Sequence, residues 1–177
     1  ATIGNIEEAG QFLVGTNRPC KIIQDKSIRK YDVEVKFVKG SISEVADSII
    51  EYVEKSDINS PILLFTNTRG ESEFLASILK EKTLMNIELH HGSLSRQVRE
   101  ETESILRSGA SGIVVCTSSL ELGLDIGSVE LVIHYGSPRQ VSKLMQRIGR
   151  SRHFKNSSAK GLIITNSSDD EFETRAI

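Results

Sequence analysis

A chain of 177 residues is long enough for one α/β domain with a full core and too short for two ordinary domains plus a linker. Hydrophobic residues at 38% and charged residues at 26% exclude a mainly disordered chain, and a formal charge of -2 excludes nucleic-acid attraction by a global positive field. Any nucleic-acid binding must then come from locally placed basic and backbone groups.

No apolar run approaches the roughly 18 residues that span a bilayer, and no charged-then-apolar leader opens the chain, so no membrane partner is expected. Cys20 and Cys116 lie far apart, and Cys116 closes an apolar run, which favours a buried free thiol over a disulfide or metal ligand and points to an intracellular setting. No metal site is expected.

Residues 1–40 read as an irregular lead-in with short strands, one at Cys20 to Ile23 and one at Tyr31 to Val38, where Val33, Val35 and Phe37 alternate. Residues 41–177 read as the main domain. Ser41 and Glu44 form a capping-box pattern for a helix whose apolar stripe is Ile42, Val45, Ala46, Ile49, Ile50 and Val53. The run Ile62 to Phe65 follows, then a second box, Thr68 with Glu71, opening a helix with Phe74, Leu75, Ile78 and Leu79 inward. A third helix starts at Ser95 with Val98, Thr102, Ile105 and Leu106 inward, before the runs Ile113 to Cys116 and Leu131 to Ile133. A fourth helix takes Ser137 as N-cap, Pro138 as first residue and Gln140 as the third box member, with Val141, Leu144, Met145 and Ile148 inward. The last run is Leu162 to Ile164, and the acidic tail Asp169 to Glu173 reads as a solvated helix start. Apolar runs without polar alternation suit strands buried on both faces, so the pattern predicts a doubly wound α/β fold with a mainly parallel sheet and helices on both faces.

Ligands of such sheets sit outside the carboxyl ends of the strands. Polar loops stand there: Thr66-Asn67-Thr68-Arg69 after one strand and Thr117-Ser118-Ser119 after another. Hydroxyls and free amides at a helix start suit phosphate oxygens, although each loop alone also reads as an ordinary helix cap. On the fourth helix, at about 100° per residue, Lys143, Gln146, Arg147 and Arg150 gather opposite the apolar stripe. That face is either simply wet or a phosphate-facing cluster. Gly149, if inside the helix, costs roughly 1 kcal/mol against alanine and argues for close approach of a ligand or backbone. Guanidinium groups suit a triphosphate in transfer. The chain holds no G-x-x-x-x-G-K-[ST] loop and no D-E-x-D/H strand, so catalytic arginines here would complete a site built mainly by another domain.

Gln146 to His153 resembles motif VI of superfamily 2 helicases, Q-x-x-G-R-x-x-R, and Thr117 to Asp125 resembles motif V. Phe65 to Arg69 is similar to motif IV, and His91-Gly92-Ser93 with Arg96 and Arg99 is similar to the motif between them. The wording is closest to the large-helicase-related (Lhr) family, and Ala1 to Asn5 looks like the end of motif III. The resemblance implies a RecA-like second motor lobe excised behind its first lobe, which would be its partner and would hold most of the ATP and Mg2+. It implies that Arg150 is an arginine finger, that Gln146 aligns it, and that Gly123 and Asp125 sit near the ribose. Thr66, Asn67, Arg69, Gly92, Ser93, Arg96, Thr117 and Ser118 would hold a single strand of DNA or RNA. Where the general motif ends in a second arginine this chain has His153, and Arg147 is the substitute candidate. The lobe by itself is expected to be inactive as an ATPase. A free-standing nucleic-acid-binding module on the same fold is the alternative.

Overall fold

Ser41 and Thr68 close reciprocal boxes with Glu44 and Glu71 and so fix where the first two large helices begin. In the computed structural model, which describes residues 5–15, 18–23, 30–121, 127, 129–151 and 158–177, the chain runs α1 (Ile6–Val14), β1 (Tyr31–Phe37), α2 (Ile42–Lys55), β2 (Pro61–Phe65), α3 (Arg69–Lys82), β3 (Ile87–His90), α4 (Arg96–Ser108) and β4 (Gly112–Cys116). A 3-10 turn (Ser118–Leu120) follows, then β5 (Leu131–Tyr135), α5 (Val141–Ile148), β6 (Ala159–Thr165) and α6 (Ser168–Ala176).

The strands form one six-stranded sheet in the order β1-β6-β5-β2-β4-β3, and every strand pairing among the described residues is parallel. Each central strand is apolar on both faces because helices cover both. Ile62 and Leu64 of β2 join Val45, Ile49, Leu75 and Leu79 of α2 and α3 in one core, whereas Leu63 and Phe65 point the other way, to Leu106, Val114, Leu120 and Val132. α5 lies on that second face, where Ile148 fills the space left by Gly161: a Cβ there would stand 2.7 Å from Ile148 Cδ1.

Several expectations need correction. Residues 18–23 hold no strand, whereas β1 is an integral part of the sheet, paired along its length with β6. α5 starts three residues later than expected: Ser137 Oγ accepts the N–H of Arg139 at 3.0 Å, two residues on, and Arg139 takes φ 61°, so the chain turns before the helix begins at Val141. Gly149 is the C-cap of that helix and not an interior residue, its N–H donating to Met145. Phe74, Val98 and Val141, expected inward, are exposed. Both cysteines are free, Cys116 buried and Cys20 exposed. The acidic tail does open a helix, α6, with Asp169, Asp170 and Glu171 in its first turn. No helix among the described residues is long and apolar enough to cross a membrane.

Candidate nucleotide and nucleic-acid interface

All strands being parallel, the loops after β2, β3, β4 and β5 gather at one edge of the sheet. After β2, Thr66 is wholly buried, and its hydroxyl donates to the Thr68 carbonyl at 2.9 Å. Asn67 is half-buried, and its side-chain amide donates to the Ser137 carbonyl at 2.9 Å, tying this loop to the one after β5. These two side chains, expected to contact a nucleic-acid strand, each make a hydrogen bond within the protein. Arg69, in the first turn of α3, is exposed.

After β3 come His91, buried, then Gly92 and Ser93, both exposed, with the Ser93 N–H donating to His91 Nδ1 at 3.3 Å. Arg96 at the start of α4 is exposed and paired with Glu100 at 2.6 Å. After β4, Thr117 is half-buried and Ser118 exposed. Arg69, Gly92, Ser93, Arg96, Thr117 and Ser118 therefore share one accessible edge. The described residues hold no group of three or more His, Cys, Asp or Glu side chains arranged for a metal ion.

α5 returns from that edge along the face of the sheet. Gln146 and Arg150 are half-buried, but Arg147 is 4% exposed, which differs from the wet face that its periodicity predicts. Its guanidinium lies over Phe65, 5.2 Å from the ring centroid, donates through Nη2 to Glu121 Oε2 at 3.4 Å, and donates through Nη1 to His134 Nε2. His134 can accept because its other nitrogen, Nδ1, donates to the Gly136 carbonyl at 2.9 Å. Burial, and then the neighbouring Arg147 charge, push the His134 pKa down to about 3, so the ring is neutral. Arg147 thus serves the interior and presents no free guanidinium to a nucleotide.

Arg150 stands one turn further on. Its Nε and Nη2 donate to the Glu121 carbonyl at 3.0 and 2.7 Å. Glu121 therefore binds Arg147 by its carboxylate and Arg150 by its main chain, and it directly follows the loop that carries Thr117 and Ser118. Glu121 and His134 were not singled out from the sequence. The available signal was a histidine within the run Leu131 to Tyr135, at the end of its buried part, where an unpaired polar ring would be costly. Gly123, Asp125, Arg152 and His153 lie outside the described residues.

A family model described as helicase conserved C-terminal domain matches residues 24–155. The chain is 40% identical over 98% of its length to the ATP-dependent helicase Lhr-Core of Methanocaldococcus jannaschii and spans 21% of that relative. Among solved structures it is similar to the Mycobacterium smegmatis helicase Lhr bound to ssDNA and AMP-PNP, with a TM-score of 0.83 and 31% identity, covering 98% of this chain and 24% of that one. It is also similar to domain 2 of the DEAD-box helicase Mss116p bound to an RNA duplex, with a TM-score of 0.60 and 26% identity, covering 75% of this chain and 54% of that one.

Proposed function

Because the chain belongs to the helicase conserved C-terminal domain family, we propose that it is the second motor lobe of an ATP-dependent Lhr-type helicase, giving an arginine to a nucleotide held mainly by a first lobe and a set of loops to a single nucleic-acid strand. The observation that carries this is Arg150 docked on the Glu121 carbonyl. That carbonyl is a neutral acceptor, whereas a phosphate oxygen offers the same guanidinium a charge-assisted bond roughly twice as strong. A phosphate brought by a closing first lobe would therefore be a favourable partner for Arg150. ATP with Mg2+ supplies the phosphoryl group to be transferred; Arg150 offsets the charge that develops on it, and Gln146 aligns the arginine. Gly123 and Asp125 remain proposed ribose contacts.

Arg147 takes a different part from the second finger first expected of it. Buried against Phe65, Glu121 and His134, it fixes the main chain on which Arg150 rests. On the strand side, Arg69 and Arg96 supply charge, and Gly92, Ser93, Thr117 and Ser118 supply amides and hydroxyls, while Thr66 and Asn67 hold the loop in shape. The two functions meet at the segment 117–121, so a strand bound at one end of it bears on the arginine at the other.

Titration of the purified chain with a labelled single strand over a range of salt tests the track. Few cations on it predict weak binding with a shallow slope, roughly −0.7 in log–log form for each phosphate neutralised. Tight, sequence-specific binding would overturn the reading.

A further inference from the structure

One buried residue that has no part in the site as described is His90, the last residue of β3, 1% exposed. We propose that His90 is a positioning residue for the strand track, locking the loop after β3 and the loop after β4 into one unit through Ser119; this rests on the strand-track reading given above. Its main-chain carbonyl accepts from the Thr117 N–H at 3.3 Å and from the Ser119 hydroxyl at 3.0 Å. The ring closes the same link, with Nδ1 2.8 Å from Ser119 Oγ. On its far side Nε2 lies 3.2 Å from Glu103 Oε1 of α4.

The next residue, His91, is buried too, and accepts the Ser93 N–H. Ser93 on one side is therefore tied to the His91 ring, and Thr117 and Ser119 on the other are tied to His90, Thr117 through the main chain and Ser119 through main chain and ring. Packing alone does not call for imidazoles here, since an unpaired buried ring costs free energy that an aliphatic side chain would not. The benefit lies in the loops. Exposed hydroxyls and amides that grip a passing phosphate bind better when their backbone is already fixed, because the ordering cost is removed before binding.

The two ring nitrogens give a test that packing cannot mimic. Asparagine keeps an amide near the Nδ1 position and so keeps the side-chain link to Ser119, while glutamine reaches the Nε2 position and keeps only the side-chain link to Glu103. Binding of a labelled oligothymidylate to the chain is measured by anisotropy, well below every variant's melting temperature. Ser119→Ala and His90→Gln weaken binding roughly tenfold, the size of one lost buried hydrogen-bond link, while His90→Asn binds as the parent does whatever its melting temperature. Arg69→Ala, on the track itself, serves as the reference. If it weakens binding while Ser119→Ala and His90→Gln stay within about twofold of the parent, the proposal is overturned and the track stands. If His90→Asn loses as much as His90→Gln, the ring acts by packing and the proposal is likewise overturned. If none of the four alters binding, the track and the proposal fall together.

Discussion

The guanidinium of Arg150 rests on the main-chain carbonyl of Glu121, with Nε at 3.0 Å and Nη2 at 2.7 Å, while the Glu121 carboxylate faces Arg147 at 3.4 Å. One residue thus touches both arginines of α5 and its end. Its carboxylate and the Arg147 guanidinium are nearly inaccessible, at 8% and 5% side-chain exposure, so neither can fall back on water if the other is removed.

Glu121→Ala should therefore cost about 3–5 kcal/mol of unfolding free energy, the usual penalty for leaving one buried charge without its partner. Urea denaturation measures it. A double variant that replaces both Glu121 and Arg147 by apolar residues of similar size should recover much of the loss, because the uncompensated charge is gone. A single-variant loss below about 0.5 kcal/mol would mean that the pair is not desolvated as described.

His134 makes stability depend on pH. Its folded pKa of about 3 lies below its ordinary value of 6.5, so between those two values the unfolded chain binds the extra proton. Its contribution is complete above pH 6.5 and is lost progressively as pH falls towards 3, with a slope of up to about 1.4 kcal/mol per pH unit. His134→Gln, which can still accept from Arg147 but does not titrate, should flatten that slope by about one proton. Parallel urea series at several pH values decide it; equal slopes for parent and variant would contradict the assignment.

Gly112 opens β4 at φ 150°, and a Cβ there would meet the Asn86 carbonyl oxygen at 2.6 Å. Because the obstructing atom is backbone and cannot rotate away, Gly112→Ala should lower stability by at least about 1–3 kcal/mol. Thermal melting shows it. At Gly92, where an added Cβ meets nothing within 4 Å, the same substitution should leave the melting temperature nearly unchanged.

What the sequence made legible follows from how far each signal reaches. β2, β4, β5 and β6 are continuous apolar runs because both their faces are covered, and the boxes at Ser41 and Thr68 are local chemistry closed within three residues. β3 escaped notice because Ile87-Glu88-Leu89-His90, at the edge of the sheet, carries two polar residues in four. The beginning of α5 departs from its sequence pattern because Ser137 satisfies a turn N–H in place of a helix N–H, with Arg139 at φ 61°. Of the exposed part of the candidate site, Arg69, Thr117 and Ser118 are visible as loops after strands, whereas Gly92, Ser93 and Arg96 are legible only through the family resemblance. The interior of the site was not visible. Arg147 looked wet by helical period, and the partners that bury it, Glu121 and His134, stand 26 and 13 residues away, beyond any local pattern.

The central claim is that Arg150 completes a nucleotide site built mainly by another lobe. The most direct measurement compares strand-stimulated ATP hydrolysis by a polypeptide joining this chain to a first motor lobe with that of its Arg150→Ala variant. The chain alone should show no hydrolysis above background, the joined polypeptide should hydrolyse ATP in response to single strands, and Arg150→Ala should lower that rate by about 10^3-fold or more, the scale of a lost arginine finger. A variant rate within about twofold of the parent, with strand binding intact, would contradict the claim.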